Sequence, residues 1–359
     1  MTEQNGAIRL SDQKRKNHKG LVVPILVMLI LAAVVVSLGT GSAGLSYKDL
    51  LRTLIGRGTR HSEIIVYGNR MPRVLTALLA GAVLGMGGAV MQSVLRNPLA
   101  SASTLGVSQG ASFGATIAII LLGAGTQNPG AGEAAVSFNN LYLVTVCAFL
   151  GGAVSTVVIL LLSHIKKLGS ASIVLVGVAL SALFSGGTTL IQYFADDVQV
   201  AAVVFWTFGD LGRTNSSEVA VLALVCALSF VFFMLNSWNY NALNSGVHTA
   251  SSLGVNVNLL IYSSMLVATL IASVAVALIG IISFVGLIAP HIMRRFVGND
   301  YRYLVPASAL SGGLLLLLAD LLCRVVVSPI VLPIGAVTSF VGGPLYLWLI
   351  FRANQSVSS

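Results

Sequence analysis

The chain has 359 residues, 56% of them hydrophobic and only 9% charged, where a soluble domain carries about a quarter charged residues. That balance excludes a soluble globular protein. The net charge of +9 would raise nucleic acid as a partner in a soluble chain, but here most bases flank apolar runs and read as membrane topology, with no nucleic acid implied.

Met1 to Gly20 is polar and basic, with Arg9, Lys14, Arg15, Lys16 and Lys19 and no periodic apolar face, which predicts an unstructured cytoplasmic tail. Leu21 to Leu38 follows without a charge. It exceeds the roughly 7–15 residues of a signal-peptide core and reads as an uncleaved first span. Gly44 to Asn69 is the longest polar connection, with Leu50, Leu51, Leu54 and Ile55 at helical spacing among charges. This pattern predicts an amphipathic helix on the outer surface.

Met71 to Leu95 holds one charge, Arg73, and is long enough to cross a hydrocarbon core of about 30 Å. Gly81, Gly85 and Ala89 recur every fourth residue, so another helix can approach that face closely. Asn97-Pro98 ends the span, because a residue before proline is pushed out of the α region. The third span carries Gly106, Gly110 and Gly114 on one face and leads into a glycine-rich loop, Gly123 to Gly132.

Leu141 to Ser163 is the fourth span, followed by a basic turn with His164, Lys166 and Lys167, and Ile173 to Phe194 is the fifth. Asp196 to Ser217, with Asp196, Asp197, Asp210 and Arg213, is too polar to cross and too long for a turn, which predicts a partly folded external loop. Val219 to Leu235 is the sixth span, and Asn236 to Asn258 is the longest cytoplasmic connection. Leu259 to Ile292 then runs 34 residues without a charge, too long for one span, and Gly280 marks a turn within it. Counted as two spans, it gives ten in all and places twelve of the 20 basic residues inside with both termini; counted as one, it leaves most outside. The positive-inside rule selects ten. The last three are Phe284 to Phe296 with an upstream extension, Leu304 to Cys323, and Ile334 to Phe351. Proline-broken turns at Pro98 and Pro290 suggest an inverted repeat.

Cys147, Cys226 and Cys323 sit in or at the ends of apolar runs without CxxC spacing and read as small packing residues, not a disulfide framework or zinc site. No GxxxxGK[ST] pattern occurs, so the chain has no Walker-type ATP site. His291 and Asp320 invite a reading as an acid-base pair. No GxSxG, HExxH or paired-carboxylate pattern accompanies them, however, and Asp320 has a better partner in Arg324 one helical turn away. The chain is therefore read as having no catalytic residues and no metal ligands.

The segments R-M-P-R from Arg70, G-A-V-L-G-M-G-G-A-V-M-Q from Gly81, R-N-P-L-A with Asn97 and Pro98, and L-G-V-S-Q-G-A with Gly106 and Gly110 occur in order. Near the other end stand F-V-G-L-I-A-P-H-I-M-R with Pro290, His291 and Arg294, A-D-L-L-C-R with Asp320, and L-P-I-G-A-V-T with Pro333 and Gly335. Together these resemble the FecCD-type permease family, the membrane subunits of ABC importers for iron-siderophores, haem and cobalamin. The resemblance runs from Leu21 to Arg352. It implies an all-α polytopic membrane protein of about ten helices with type II ABC importer architecture: a tail over 1–20, one permease domain over 21–352 and a cytoplasmic tail over 353–359.

By the same resemblance, Arg70, Arg73 and Arg324 face glutamates on the two lobes of an extracytoplasmic substrate-binding protein, as the bidentate fork of arginine suits. Leu243 to Val255 resembles the coupling helix that sits in a groove of the ATPase subunit. Gly246, Ala250, Leu253 and Gly254 match its pattern, while Val247 stands where an acidic residue is usual and Ser251 where a basic one is. The implied assembly is two permease chains, two ATPase subunits carrying ATP and Mg, and one binding protein, in the cytoplasmic membrane of a prokaryote. Its path would be lined partly by the fifth and tenth spans. The cargo is a bulky chelate, a ferric siderophore first, then haem or cobalamin. The alternatives are an ATP-independent secondary transporter or channel, which calls for mid-membrane ionisable groups that are almost wholly lacking, and an intramembrane enzyme, which lacks a catalytic constellation.

Overall fold

The computed structural model describes residues 2–41, 45–127, 136–138, 140–166 and 169–355. Helix α1 spans Thr2–Gly39. Where the sequence predicts an unstructured tail before Leu21, the backbone is helical from Thr2. Once the apolar span is helical, upstream residues extend it without a new nucleation cost, and the tail is rich in the good helix formers Gln, Lys and Arg. Helix α2 (Tyr47–Leu54) is N-capped by Ser46 and buries Leu50, while Leu51, Leu54 and Ile55 stay exposed. Its apolar residues are thus offered both to the bundle and to a bilayer interface, as an interfacial helix requires.

Helix α3 (Arg60–Ile65) passes through a π turn, Val66–Arg70, directly into α4 (Met71–Val94). The predicted polar connection is therefore partly a helical extension, and the continuous rod is 35 residues long. Pro72 has no N–H for the carbonyl of Gly68, and the wide turn, closed by Met71 N–H on Val66 O, absorbs that missing bond. Helix α4 is the centre of the bundle, 72% buried over its most apolar window. Its small-residue stripe is the crossing with α14: a Cβ at Gly81 would lie 2.2 Å from the carbonyl oxygen of Gly312, and one at Gly85 2.2 Å from that of Ser308. Backbones this close allow no side chain between them.

The chain leaves α4 through Arg96 at φ +45° and an Asx turn in which Asn97 Oδ1 accepts from Leu99 N–H at 2.9 Å. Helix α5 (Val107–Thr116), prolonged by a π turn over Ile117–Leu121, packs its own stripe on α6 (Leu141–Lys166). There a Cβ at Gly110 would meet Gly151 O at 2.5 Å, and one at Gly114 would meet Cys147 O at 2.0 Å. Between them, a two-stranded ribbon pairs β1 (Gly125–Gln127) with β2 (Val136–Phe138), Thr126 opposite Ser137. It occupies the predicted glycine-rich loop, whose residues 128–132 lie outside the described residues, as do Gly44 and Lys167 of the preceding expectations.

Helix α7 (Ser170–Tyr193) is followed by α8 (Asp197–Thr207), which starts in a capping box between Asp196 and Gln199 and buries Trp206 completely. The external segment is thus largely a folded helix lying against α5 and the ribbon. A second capping box, Asn215 with Glu218, opens α9 (Ser216–Leu235). Helices α10 (Ser237–Asn244) and α11 (Val247–Ser252) lead to α12 (Val257–Ile279).

The 34-residue apolar run divides at Gly280 as the sequence predicts, but α13 (Val285–Val297) has no helical upstream extension. Residues 280–284 are non-helical, and Phe284 sits at φ +66°. Pro290 accordingly is not at a broken turn; it lies inside α13, with the break before it. Having no N–H, Pro290 frees the carbonyl of Gly286, which points at α4 where a Cβ on Gly88 would stand 1.8 Å away. Helices α14 (Tyr301–Val325) and α15 (Ile334–Gln355) complete the chain. The expected tail over 353–359 begins inside α15, and 356–359 lie outside the described residues. Among the described residues, seven helices are long and apolar enough to cross a membrane and α5 and α15 are shorter apolar helices; with α13 the count is about ten.

Candidate functional site

The three arginines singled out in the sequence come together where α1 ends, α4 begins and α14 ends, but their charged groups turn inward. Asp320, fully buried on α14, is the focus. Arg73 Nε donates to its Oδ1 at 2.8 Å, and Arg324 Nε lies 3.0 Å from its Oδ2 as an ion pair at i,i+4. Arg324 also donates through Nη1 to the carbonyls of Ser37 (3.1 Å) and Thr40 (3.0 Å), and through Nη2 to the Ser37 hydroxyl. Arg70, itself buried, donates through Nη1 to Leu38 O at 2.6 Å. The last carbonyls of α1 lack intrahelical partners, and two guanidinium groups supply them. Arg73 Nη1 stands 3.9 Å from half-exposed Asp210, a residue of the loop after α8.

The expected pairing of Asp320 with Arg324 is present, and Arg73 is a second partner that spacing could not have indicated. His291 is elsewhere. Its ring meets Tyr346 edge-on at 6.3 Å between centroids, so it forms no pair with Asp320. Arg294 donates to Gln92 Oε1, and Gln92 Nε2 in turn reaches Leu287 O at 3.5 Å. Tyr346 O–H donates to Pro98 O at 3.3 Å. The motifs R-N-P-L-A and P-H-I-M-R thus meet in one cluster joining α4, α13 and α15. The L-P-I-G motif seats the start of α15 on the turn after α8 and on the break before α13: Gly335 N–H donates to Phe208 O at 2.9 Å, a Cβ there would lie 2.6 Å from Ile281 O, and Pro333 O accepts from Val337 N–H.

The predicted coupling element is a short helix between two glycine breaks. Gly246 at φ +123° and Gly254 at φ +83° bracket α11, and a Cβ at either would meet nothing closer than 3.7 Å. Glycine is needed there for backbone conformation alone. Ala250 is fully buried, whereas Leu253 is 68% and Val247 39% exposed, so α11 is rooted through one small residue and presents apolar side chains outward.

Helix α10 ties this element to α14. Asn241 Nδ2 donates to Asp300 Oδ1 (2.9 Å), and Asn241 Oδ1 accepts from Tyr301 N–H (2.9 Å). Asp300 also takes Arg302 Nη2 at 2.6 Å, and these donors hold its carboxyl down at about 2. Asn241 and Tyr346 carry no charge and no motif spacing, so nothing in the sequence marked them, and Gln92 stood at the end of the segment from Gly81 with nothing to single it out.

About ten packed apolar helices, a buried charge cluster at one end and a short exposed helix between glycine breaks at the other define a multi-pass membrane protein of the transport-subunit class. The chain matches the FecCD transport family over residues 28–352 and belongs to that family. It is 46% identical over 345 residues to a protein of Methanocaldococcus jannaschii described as an ABC transporter permease protein, covering 96% of this chain and 97% of the other. It is 34% identical to the hemin transport system permease protein HmuU of Yersinia pestis (94% and 99% covered). Against the Fe(3+)-citrate import system permease protein YfmE of Bacillus subtilis the identity is also 34% (92% and 97% covered). Among solved structures, a protein described as a metal-chelate type ABC transporter in an inward-facing conformation superposes with a TM-score of 0.79 at 30% identity, covering 93% of this chain and 99% of the other.

Proposed function

We propose that this chain is the permease of a binding-protein-dependent ABC importer that carries a bulky iron chelate, a ferric siderophore, ferric citrate or haem, across the cytoplasmic membrane. The observation that carries this reading is the full-length likeness to permeases named for hemin and Fe(3+)-citrate, together with an exposed coupling-type helix at Val247–Ser252. Two copies form the path between them, with α7 and α15 on its walls. Both helices present exposed apolar residues, Leu183 and Leu190 on one and Phe340 and Leu347 on the other. Two partner ATPases holding ATP and Mg engage α11 on the cytoplasmic side, where both termini lie. A substrate-binding protein docks on the arginine end.

Docking follows from the charge balance of that end. Among the described residues, the only carboxylates paired with the cluster of Arg70, Arg73 and Arg324 are those of Asp320 and Asp210, which leaves a cationic surplus under the surface for an acidic partner. The test is ATPase activity of the permease with its ATPase partner in lipid, with and without the binding protein, for wild type and for Arg70→Glu with Arg73→Glu. Stimulation lost while the melting temperature is kept supports docking. Stimulation retained by a folded double variant removes the arginines from the docking surface. If no ATPase associates and flux follows an ion gradient, the importer reading falls.

A further inference from the structure

Two helices begin inside the bundle rather than at its surface, and both beginnings open on the same small cavity. The first is α5, whose opening residues Val107 and Ser108 line the cavity; the second is α13, whose Gly286 and Leu287 line it from the other side. The first intrahelical bond of α5 is Gly110 N–H to Gly106 O; at α13, Val285 N–H bonds Ser283 O (2.8 Å) and Leu287 and Ile288 N–H both bond Phe284 O (3.0 and 2.9 Å), which leaves Gly286 N–H as the free donor of that start. The N–H groups ahead of those bonds include Val107, Ser108 and Gly286, with no helical acceptor. Each helix start carries about half an elementary positive charge, so the two together present about one.

The rest of the lining fits the same chemistry. It contains no Asp, Glu, Lys or Arg, and its polar side chains are the hydroxyls of Ser101, Ser103 and Ser108. Ser108 is only 7% exposed and makes no hydrogen bond among the described residues. Serines and threonines deeper in these helices bond the carbonyl four residues back, as Thr116 does to Ser112 O at 2.8 Å. Ser108 lies one residue into α5, after the left-handed turn at Gly106, where no helical carbonyl stands at that offset. A buried hydroxyl free to donate therefore faces the same space as the two helix starts. That space, about 20 Å³, holds one water-sized particle or monatomic ion.

We propose that this cavity binds a single monovalent anion of chloride size, held by the N-termini of α5 and α13 and by the Ser108 hydroxyl, and that the anion ties the two half-spans together. Converging donors favour an anion over water. An anion can accept from the Val107, Ser108 and Gly286 N–H groups and from the Ser108 hydroxyl together, whereas water has only two acceptor sites to offer them. The site does not depend on which cargo is carried or on the importer reading.

The full-length chain in lipid nanodiscs is melted in sodium bromide, chloride or gluconate at matched ionic strength, for wild type and Ser108→Ala. Crystals grown in bromide are measured at the bromine edge. The expected result is a higher melting temperature in either halide than in gluconate, and an anomalous peak within hydrogen-bond reach of Ser108 Oγ. Ser108→Ala should raise the half-saturating bromide concentration about tenfold or more, the worth of one hydrogen bond to a charge. Equal melting in halide and gluconate, a halide shift that Ser108→Ala leaves unchanged, or cavity density without anomalous signal each overturns the proposal; the last leaves an ordered water in its place.

Discussion

Arg73 Nε and Asp320 Oδ1 lie 2.8 Å apart although 247 residues separate them along the chain. This contact fastens the start of α4 to the end of α14, and Arg324 extends it to the last turn of α1. Three helices from distant parts of the sequence are locked by one carboxylate that has no access to water.

Removing that carboxylate leaves two largely buried guanidinium groups facing each other. Asp320→Ala is expected to cost about 3–5 kcal/mol, read by denaturant or thermal unfolding in lipid. The double variant Arg73→Ala with Asp320→Ala should lose clearly less than the sum of the single losses. Strict additivity would mean that the pair contributes nothing as a pair.

Adjacent glycines of α4 should respond oppositely. At Gly88 a Cβ would stand 1.8 Å from Gly286 O, so Gly88→Ala must part α4 from α13 and is expected to lose about 1–3 kcal/mol or more. At Gly87 the nearest atom is 3.6 Å away, and Gly87→Ala should be neutral or gain about 0.5–1 kcal/mol from helix propensity. Comparing the two melting curves is sufficient, and equal losses would contradict the packing described.

For the proposed coupling element, Gly246→Ala and Gly254→Ala impose backbone strain of about 1–3 kcal/mol without a clash. The bundle should stay folded while ATPase stimulation by the binding protein drops. Gly254→Asn should retain more activity than Gly254→Ala, because asparagine tolerates positive φ. An alanine variant as active as wild type would show that the break is not needed.

Acid should loosen the α10–α14 tie. Asp300 titrates at about 2 in the folded chain, below the roughly 3.9 of an unfolded aspartate. Its contribution is therefore complete above about pH 4 and is lost as pH falls towards 2. The melting difference between wild type and Asp300→Asn should be constant from neutral pH down to about 4 and shrink below that. A difference that persists at the acid end would point to packing rather than charge.

The span order, the Gly280 division and the α4 stripe were legible because apolar length, a helix-breaking glycine and small residues at every fourth position act locally. Pro290 misled because a proline signals a break only when its missing bond cannot be absorbed, and here α13 begins five residues before it. The ribbon at Gly125–Gln127 and the burial of α8 depend on contacts with α5 that no window of sequence contains. At the arginine cluster, residue type and position were readable. The inward turn of the side chains was not, since their acceptors are carbonyls at the end of α1.

Helix α14 has a further consequence. Its 25 residues make a strut of about 37 Å, with Pro306 interrupting only its second turn. One end is pinned by Asn241 beside the α11 helix, the other by Asp320 and Arg324 beside the α1 terminus. A rigid member anchored at both faces acts as a pushrod: a displacement applied at the α11 side arrives at the arginine side as the same displacement, with no intermediate loop to dissipate it.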